Sequence, residues 1–159
     1  MEKEEVKAKI KNMYIMLLYA ITKEDIGRVK QYLSDDLFKE YEKKINDNIA
    51  HNIVQKYGEL NVARVDILSE EENIINAQIL VKYIDYTIDR NTREFKDGEK
   101  TRSERIVNLK VRYQGNNREI VYRCSNCGAV LNVNLTSVCY YCGVPVSNDE
   151  SLYVIESIK

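Results

Sequence analysis

The sequence predicts an α+β domain whose N-terminal helices pack on one face of an antiparallel sheet, and two observations carry this reading. Apolar residues recur every three or four positions over the first part of the chain, the period of a helical face, and beyond Gly58 they alternate, the period of a half-buried strand. No helical stretch separates the alternating segments. That excludes a parallel doubly wound sheet and leaves helices followed by a run of strands.

The first helix is expected over residues 2–22, because Val6, Ile10, Met13, Leu17 and Ile21 fall on one face. A short second helix fits residues 25–33, although Gly27 weakens it. For the third, Leu37, Tyr41, Ile45, Ile49, Ile53 and Tyr57 repeat every four residues. Ser34 suits its N-cap, Asp35 and Asp36 suit the positive end of its dipole, and Gly58 is the expected C-terminal stop.

Strands follow. Val65 and Ile67 mark one; Ile75, Ala77, Ile79, Val81 and Tyr83 mark a second; Val107, Leu109, Val111 and Tyr113 mark a third. Residues 89–102 hold 5 basic and 4 acidic side chains around Asp97-Gly98, and read as a solvated hairpin end. Residues 120–122 and 152–158 again have strand character. The expected organisation is one domain over 1–159, with a cysteine-rich module at 123–146 inserted between those last two, mutually paired strands.

Composition removes several classes of function. With 24 basic and 25 acidic residues the chain carries a formal charge of -1, so no long-range field draws it to nucleic acid or to an anionic membrane. The longest apolar run, residues 13–21, has 9 members, well short of the roughly 20 needed to cross a bilayer. The opening Met-Glu-Lys-Glu-Glu lacks the pattern of a secretory signal. All 4 cysteines lie close together, which fits a metal site in a reducing compartment better than a disulfide framework. A soluble, cytoplasmic chain is the expectation.

The cysteines form the sharpest motif. Cys124-Ser-Asn-Cys127-Gly128 and Cys139-Tyr-Tyr-Cys142-Gly143 repeat one pattern, Cys-x-x-Cys-Gly. Two residues between cysteines let a tight turn aim both thiolates at one point, and two such turns complete a tetrahedral sulfur shell. The following glycine permits positive φ and leaves room for backbone amides near the sulfurs. One structural zinc held by Cys124, Cys127, Cys139 and Cys142 is the expectation. Iron in a rubredoxin-like centre would use the same ligands, and two disulfides the same residues. A saturated four-sulfur shell leaves no position for water or substrate, so the metal would not catalyse. Zinc ribbons often bind nucleic acid, yet residues 124–146 contain neither Lys nor Arg, and phosphate contact depends on those charges.

Other catalytic constellations are missing from the sequence. His51, the only histidine, lies off the apolar stripe of the third helix and reads as solvent-facing, with no identified partner to orient it. No Gly-rich phosphate loop, nucleophile elbow or His-x-x-x-His pair occurs. The 12 tyrosines read mainly as core residues, with Tyr and Asp85 the only pair that could serve as acid and base in a pocket.

Met16-Leu-Leu-Tyr-Ala20, the helix from Ser34 to Tyr57, Leu60-Asn-Val-Ala-Arg-Val-Asp-Ile67 and the doubled Cys-x-x-Cys-Gly ahead of Leu152-Tyr-Val-Ile-Glu-Ser-Ile158 together carry a family resemblance. Nearly the whole chain resembles the C-terminal domain family of the mitochondrial inner-membrane translocase subunit forty-four, and more closely its bacterial members with a zinc ribbon. The resemblance implies a cone-shaped, nuclear-transport-factor-two-like domain, with helices over a strongly curved sheet that encloses an apolar pocket. It also implies association with membranes or membrane machinery. Many bacterial relatives have a transmembrane or flexible segment ahead of this domain; none precedes it in this sequence, so peripheral attachment through partners at the inner face of a membrane is what remains.

These readings converge on a non-enzymatic, zinc-containing binding or scaffold domain for a protein, peptide or lipid. The alternative is a small cavity enzyme of the isomerase or dehydratase kind, which the same fold also hosts. The candidate partner surface is helix one, because the apolar run at residues 13–21 points in every direction around the axis. Tyr14, Ile15, Leu18 and Tyr19 would mark the site wherever the rest of the domain leaves them uncovered.

Overall fold

Helix α1 spans Lys3–Thr22 in the computed structural model of the chain, which describes residues 3–114, 121–123, 127–132, 141–143 and 153–159. From Met13 to Ile21 it is apolar all round, and Ile10, Leu17 and Ile21 are at most 1% exposed. A 3-10 helix follows over Ile26–Tyr32, kinked at Val29, where the sequence predicted a short helix. Its Ile26, Val29 and Tyr32 turn into the core beside α1.

Helix α2 covers Asp35–Ala50. Ser34 caps it as expected, its Oγ accepting from the Leu37 amide at 3.3 Å while donating to the Glu156 carbonyl at 3.2 Å. The helix stops about two turns earlier than the four-residue repeat predicted. His51 is its C-cap and Asn52 takes the left-handed conformation at φ 61, a stop that needs no glycine. Ile53 and Tyr57 belong to the first strand. A spacing of four is also an even spacing, so it places residues on one face of a strand as readily as on one face of a helix.

The strands are β1 (Ile53–Glu71), β2 (Ile74–Asp89), β3 (Phe95–Gly98), β4 (Ser103–Tyr113), β5 (Val121–Arg123), β6 (Val130–Asn132) and β7 (Tyr153–Ile158). The main sheet is antiparallel in the order β1-β2-β4-β7, with β3 pairing beyond the end of β4 on β2. Its concave face holds Ile75, Ala77, Ile79 and Val81 of β2 against α1, completed by Leu109, Val111 and Ile155. The β1–β2 register shifts between Gly58 and Asn61, between Val62 and Arg64, and between Ile67 and Ser69. Each irregularity adds bend and twist to a long ribbon, and together they curl the sheet into a half-barrel around α1. Glu72 and Asn73, both at positive φ, join the two strands in a tight turn of the twist-compatible kind.

Two further expectations are corrected. Residues 89–102 are not simply a solvated hairpin end. Asp89 accepts from the Asn91 and Thr92 amides, Arg93 turns at φ 66, and the chain comes back to form β3. Gly98 lies at the end of β3, at φ 112, where an added Cβ would come within 2.5 Å of the Asp85 carbonyl. The second correction concerns the last strands. Val121–Arg123 pairs with Val130–Asn132 in a separate two-stranded sheet, whereas β7 pairs with β4. The cysteine-bearing segment therefore enters between β4 and β7, not between two paired strands at 120–122 and 152–158. A short local hairpin closes its hydrogen bonds with little loop entropy, and β4, already long enough, supplies the partner for β7.

Ser34 ties α2 to β7 twice over, since its amide also donates to the Ile155 carbonyl at 2.9 Å. Ser34→Ala removes both hydroxyl interactions. It should cost about 1–2 kcal/mol and lower the melting temperature by roughly 2–8 °C. An unchanged melting curve would show that the cap is not formed in solution.

Candidate functional site

Between α1 and the bulged part of β1 runs a groove of about 450 Å³. Helix α1 contributes Ile15, Leu18, Tyr19 and Thr22, and Lys23 follows directly after it, together the spacing of one helical stripe. Opposite stand Lys56, Tyr57, Glu59 and Leu60 of β1. Glu59 and Leu60 are the two residues left out of the β1–β2 register at its first shift, and Glu59 has φ 51. Thr22 pins the far end of the helix by donating to the Gln55 carbonyl at 2.7 Å. Just past it, Arg90 holds the Glu24 carboxylate in a two-pronged pair at 2.7 and 2.6 Å and also donates to the Ile53 carbonyl. The groove wall is thereby fixed at one end by a polar lock and along its length by core packing.

Of the four helix-one candidates, three line this groove. Leu18, at 5% exposure, is its floor; Ile15 is half-buried; Tyr19, at 62%, is its lip. Tyr14 points elsewhere and is buried. The domain thus covers Tyr14 and Leu18 and leaves Tyr19 uncovered. A charge at either covered position strikes the core.

Behind the groove the tyrosines gather. Tyr57 meets Tyr83 edge to face at 5.2 Å, and Tyr14 hydrogen-bonds Tyr83. Burial pushes the Tyr14 and Tyr57 phenols well above their usual range and Tyr41 up to about 12. All three stay protonated at physiological pH. The Arg105 guanidinium lies 4.4 Å over the Tyr83 ring and pairs with Glu99 at 2.6 Å. Asp85, the carboxylate considered as a base, accepts from Gln55 at 2.6 Å and faces Arg105 at 3.7 Å. Gln55 is the one buried polar side chain among the described residues, and sequence reading passed it over because it was assigned to a helix.

Glu99 fastens β3. The Asp85 amide, the Ser103 hydroxyl and Arg105 all donate to its carboxylate and hold it below the usual carboxylate range. A second concavity of about 540 Å³ lies beyond it, over Ile84 and Phe95, with Phe95 stacked on Tyr86 at 6.2 Å. His51 is exposed, its Nδ1 2.7 Å from the Asp47 carbonyl, and meets no acid.

The zinc expectation falls partly outside the described residues. Cys124 and Cys139 are not among them; Cys127 and Cys142 are, and both are exposed. No group of three or more metal-ligating side chains converges among the described residues. The two knuckle glycines, Gly128 and Gly143, both lie at φ 77, the positive value their place after Cys-x-x-Cys predicted.

No helix among the described residues is long and apolar enough to cross a membrane. Residues 1–111 match the Tim44-like domain, and the chain belongs to that family. The match ends within β4, ahead of the cysteine-bearing segment. Membership suggests a binding or scaffold role. Among solved structures, the intermembrane space region of the chloroplast protein ARC6 is similar at a TM-score of 0.49 and 10% identity, over 100% of this chain and 95% of that one. No curated protein sequence matches the chain.

A group whose folded pKa is depressed stabilises the fold above its unfolded pKa, and that contribution fades as pH falls through the folded value. For Glu99 it is complete above about pH 4.5 and is lost below it. Amide exchange at residues 95–98, taken relative to the intrinsic rate at each pH, should accelerate on acidification from pH 5 towards 3, and Glu99→Gln should give the same relative acceleration at pH 7. Exchange there that is independent of both changes would contradict the clamp.

Proposed function

We propose that the chain is a non-enzymatic binding or scaffold domain that receives a protein, peptide or lipid in the groove between α1 and β1. The observation that carries this is the helical stripe of Ile15, Leu18 and Tyr19, which leaves an apolar floor and an exposed aromatic lip facing the bulge of β1. The enzyme alternative needs a carboxyl raised towards neutrality beside a donor. Asp89 and Glu99 are displaced the other way, Asp89 by the Thr92 and Asn91 amides and Glu99 by the Asp85 amide. Peripheral association at the inner face of a membrane, through a partner, accords with the same reading.

The uncharged dye N-phenylnaphthylamine provides a direct test by fluorescence titration. It should bind, and Tyr19→Ser should weaken binding about three- to tenfold while leaving thermal melting almost unchanged. Phe95→Ser, in the second concavity, should leave the affinity as it was. A protein that does not bind the dye, or loses it only with Phe95→Ser, would defeat the groove reading.

The cysteine segment supports a second element of the proposal, one structural zinc held by Cys124, Cys127, Cys139 and Cys142. Soft thiolates in this spacing suit zinc, and the shared φ of Gly128 and Gly143 is what two equivalent knuckles require. Zinc would supply local folding energy to residues 123–146 and no reaction step. Elemental analysis of protein purified without added metal should find one zinc per chain. Cys139→Ser should make residues 123–146 protease-sensitive while the main sheet still melts cooperatively; metal-free protein with two disulfides would overturn the assignment.

A further inference from the structure

The groove between α1 and β1 is apolar along its floor but not neutral at its mouth. Lys23 ends the α1 stripe and Lys56 stands across from it on β1, so two ammonium groups face one opening. Arg93 adds a third charge close enough to be felt at Lys56. Two carboxylates stand nearby: Glu24 is already committed to Arg90 through both of its oxygens, and Glu59, exposed on the β1 side of the groove, pairs with neither lysine. No carboxylate lies within 4.0 Å of Lys23, Lys56 or Arg93 among the described residues.

On the strand side, β1 is the edge of the main sheet, and Glu59 and Leu60 drop out of its pairing with β2 at the first register shift. An edge strand offers main-chain donors and acceptors that another extended chain can use. Beside it, the lip and floor offer Tyr19 and Leu18 to an apolar side chain.

We infer that the groove takes an extended acidic peptide segment, with an apolar side chain over Leu18 and a carboxylate between Lys23 and Lys56. The inference rests on the groove being the binding site, and it names the partner's chemistry. Burial, then the neighbouring Arg93 and Lys23 charges, push the Lys56 ammonium below the usual lysine range, with Glu24 opposing. An arriving carboxylate relieves that repulsion, which supports the choice of an anion over an uncharged or basic chain. The bulged edge of β1 favours a polypeptide over a lipid, since an acyl chain has no use for main-chain hydrogen bonds.

Two fluorescein-labelled nonapeptides test this, one alternating leucine with glutamate and the other leucine with glutamine. Titrated into the full chain at low salt, the glutamate peptide should bind about five- to tenfold tighter, and added salt should narrow the gap. The double variant Lys23→Gln/Lys56→Gln should erase the difference, whereas Lys39→Gln on the exposed side of α2 should preserve it. Circular dichroism melting confirms that each variant is folded. Equal affinities for the two peptides, or a preference that survives the double variant, would overturn the inference. So would binding of phosphatidylglycerol vesicles without binding of the glutamate peptide, which would assign the cationic mouth to a lipid surface. Failure of the wild-type chain to bind the uncharged dye would instead defeat the groove itself, so the two failures are distinguishable.

Discussion

Helix α1 carries apolar side chains around its whole circumference through its last turns, and water has to be kept from nearly all of them. A flat sheet can cover one side of such a helix. Covering more of it requires a sheet that curls, and the three register shifts along β1 and β2 supply the curl. The 3-10 helix closes over part of the remainder through Val29 and Tyr32. Ile10, Leu17 and Ile21 then vanish from the surface, each contributing on the order of 1.5–3 kcal/mol of burial. Met16 and Tyr19 are left uncovered, and the groove is the place where the wrapping stops.

The same curvature explains the polar arrangement. A half-barrel brings the Tyr57 and Tyr83 rings together with Tyr14 inside, where each hydroxyl needs a partner and none finds water easily. Arg105, Glu99, Asp85 and Gln55 form the polar edge of that cluster, and their hydrogen bonds pull β3 onto β2. Such a network stiffens one end of the sheet. At Glu59 and Leu60 on β1 no side-chain network of this kind forms among the described residues.

The apolar periodicity reveals α1, the start of α2 with its Ser34 cap, and the central strands, because each buries one regular face. Sequence spacing could not fix the end of α2, because a four-residue repeat satisfies helix and strand alike and the stop depends on Asn52 adopting a left-handed conformation. Pairing of the last strands was illegible for a different reason. Residues 121–123 and 153–158 both have strand character, but which partner each chooses depends on loop closure and on the free edge of β4, neither of which is written in local pattern. At the site, Ile15, Leu18 and Tyr19 could be singled out from the all-round apolar run. Lys23 and Lys56 could not, since Lys23 follows the end of α1 and Lys56 lies in a strand whose four-residue repeat also fits a helix, and their nearness arises only from the fold. Gln55 was hidden by the same ambiguity.

The central claim is that incomplete wrapping of α1 leaves a binding groove against the bulged edge of β1. Amide chemical-shift mapping by NMR, with N-phenylnaphthylamine titrated into the folded chain, tests it most directly. The account predicts that the perturbed residues cluster at 15–23 and 56–60. Perturbations confined to residues 84–86 and 95–100, around the second concavity, would contradict it.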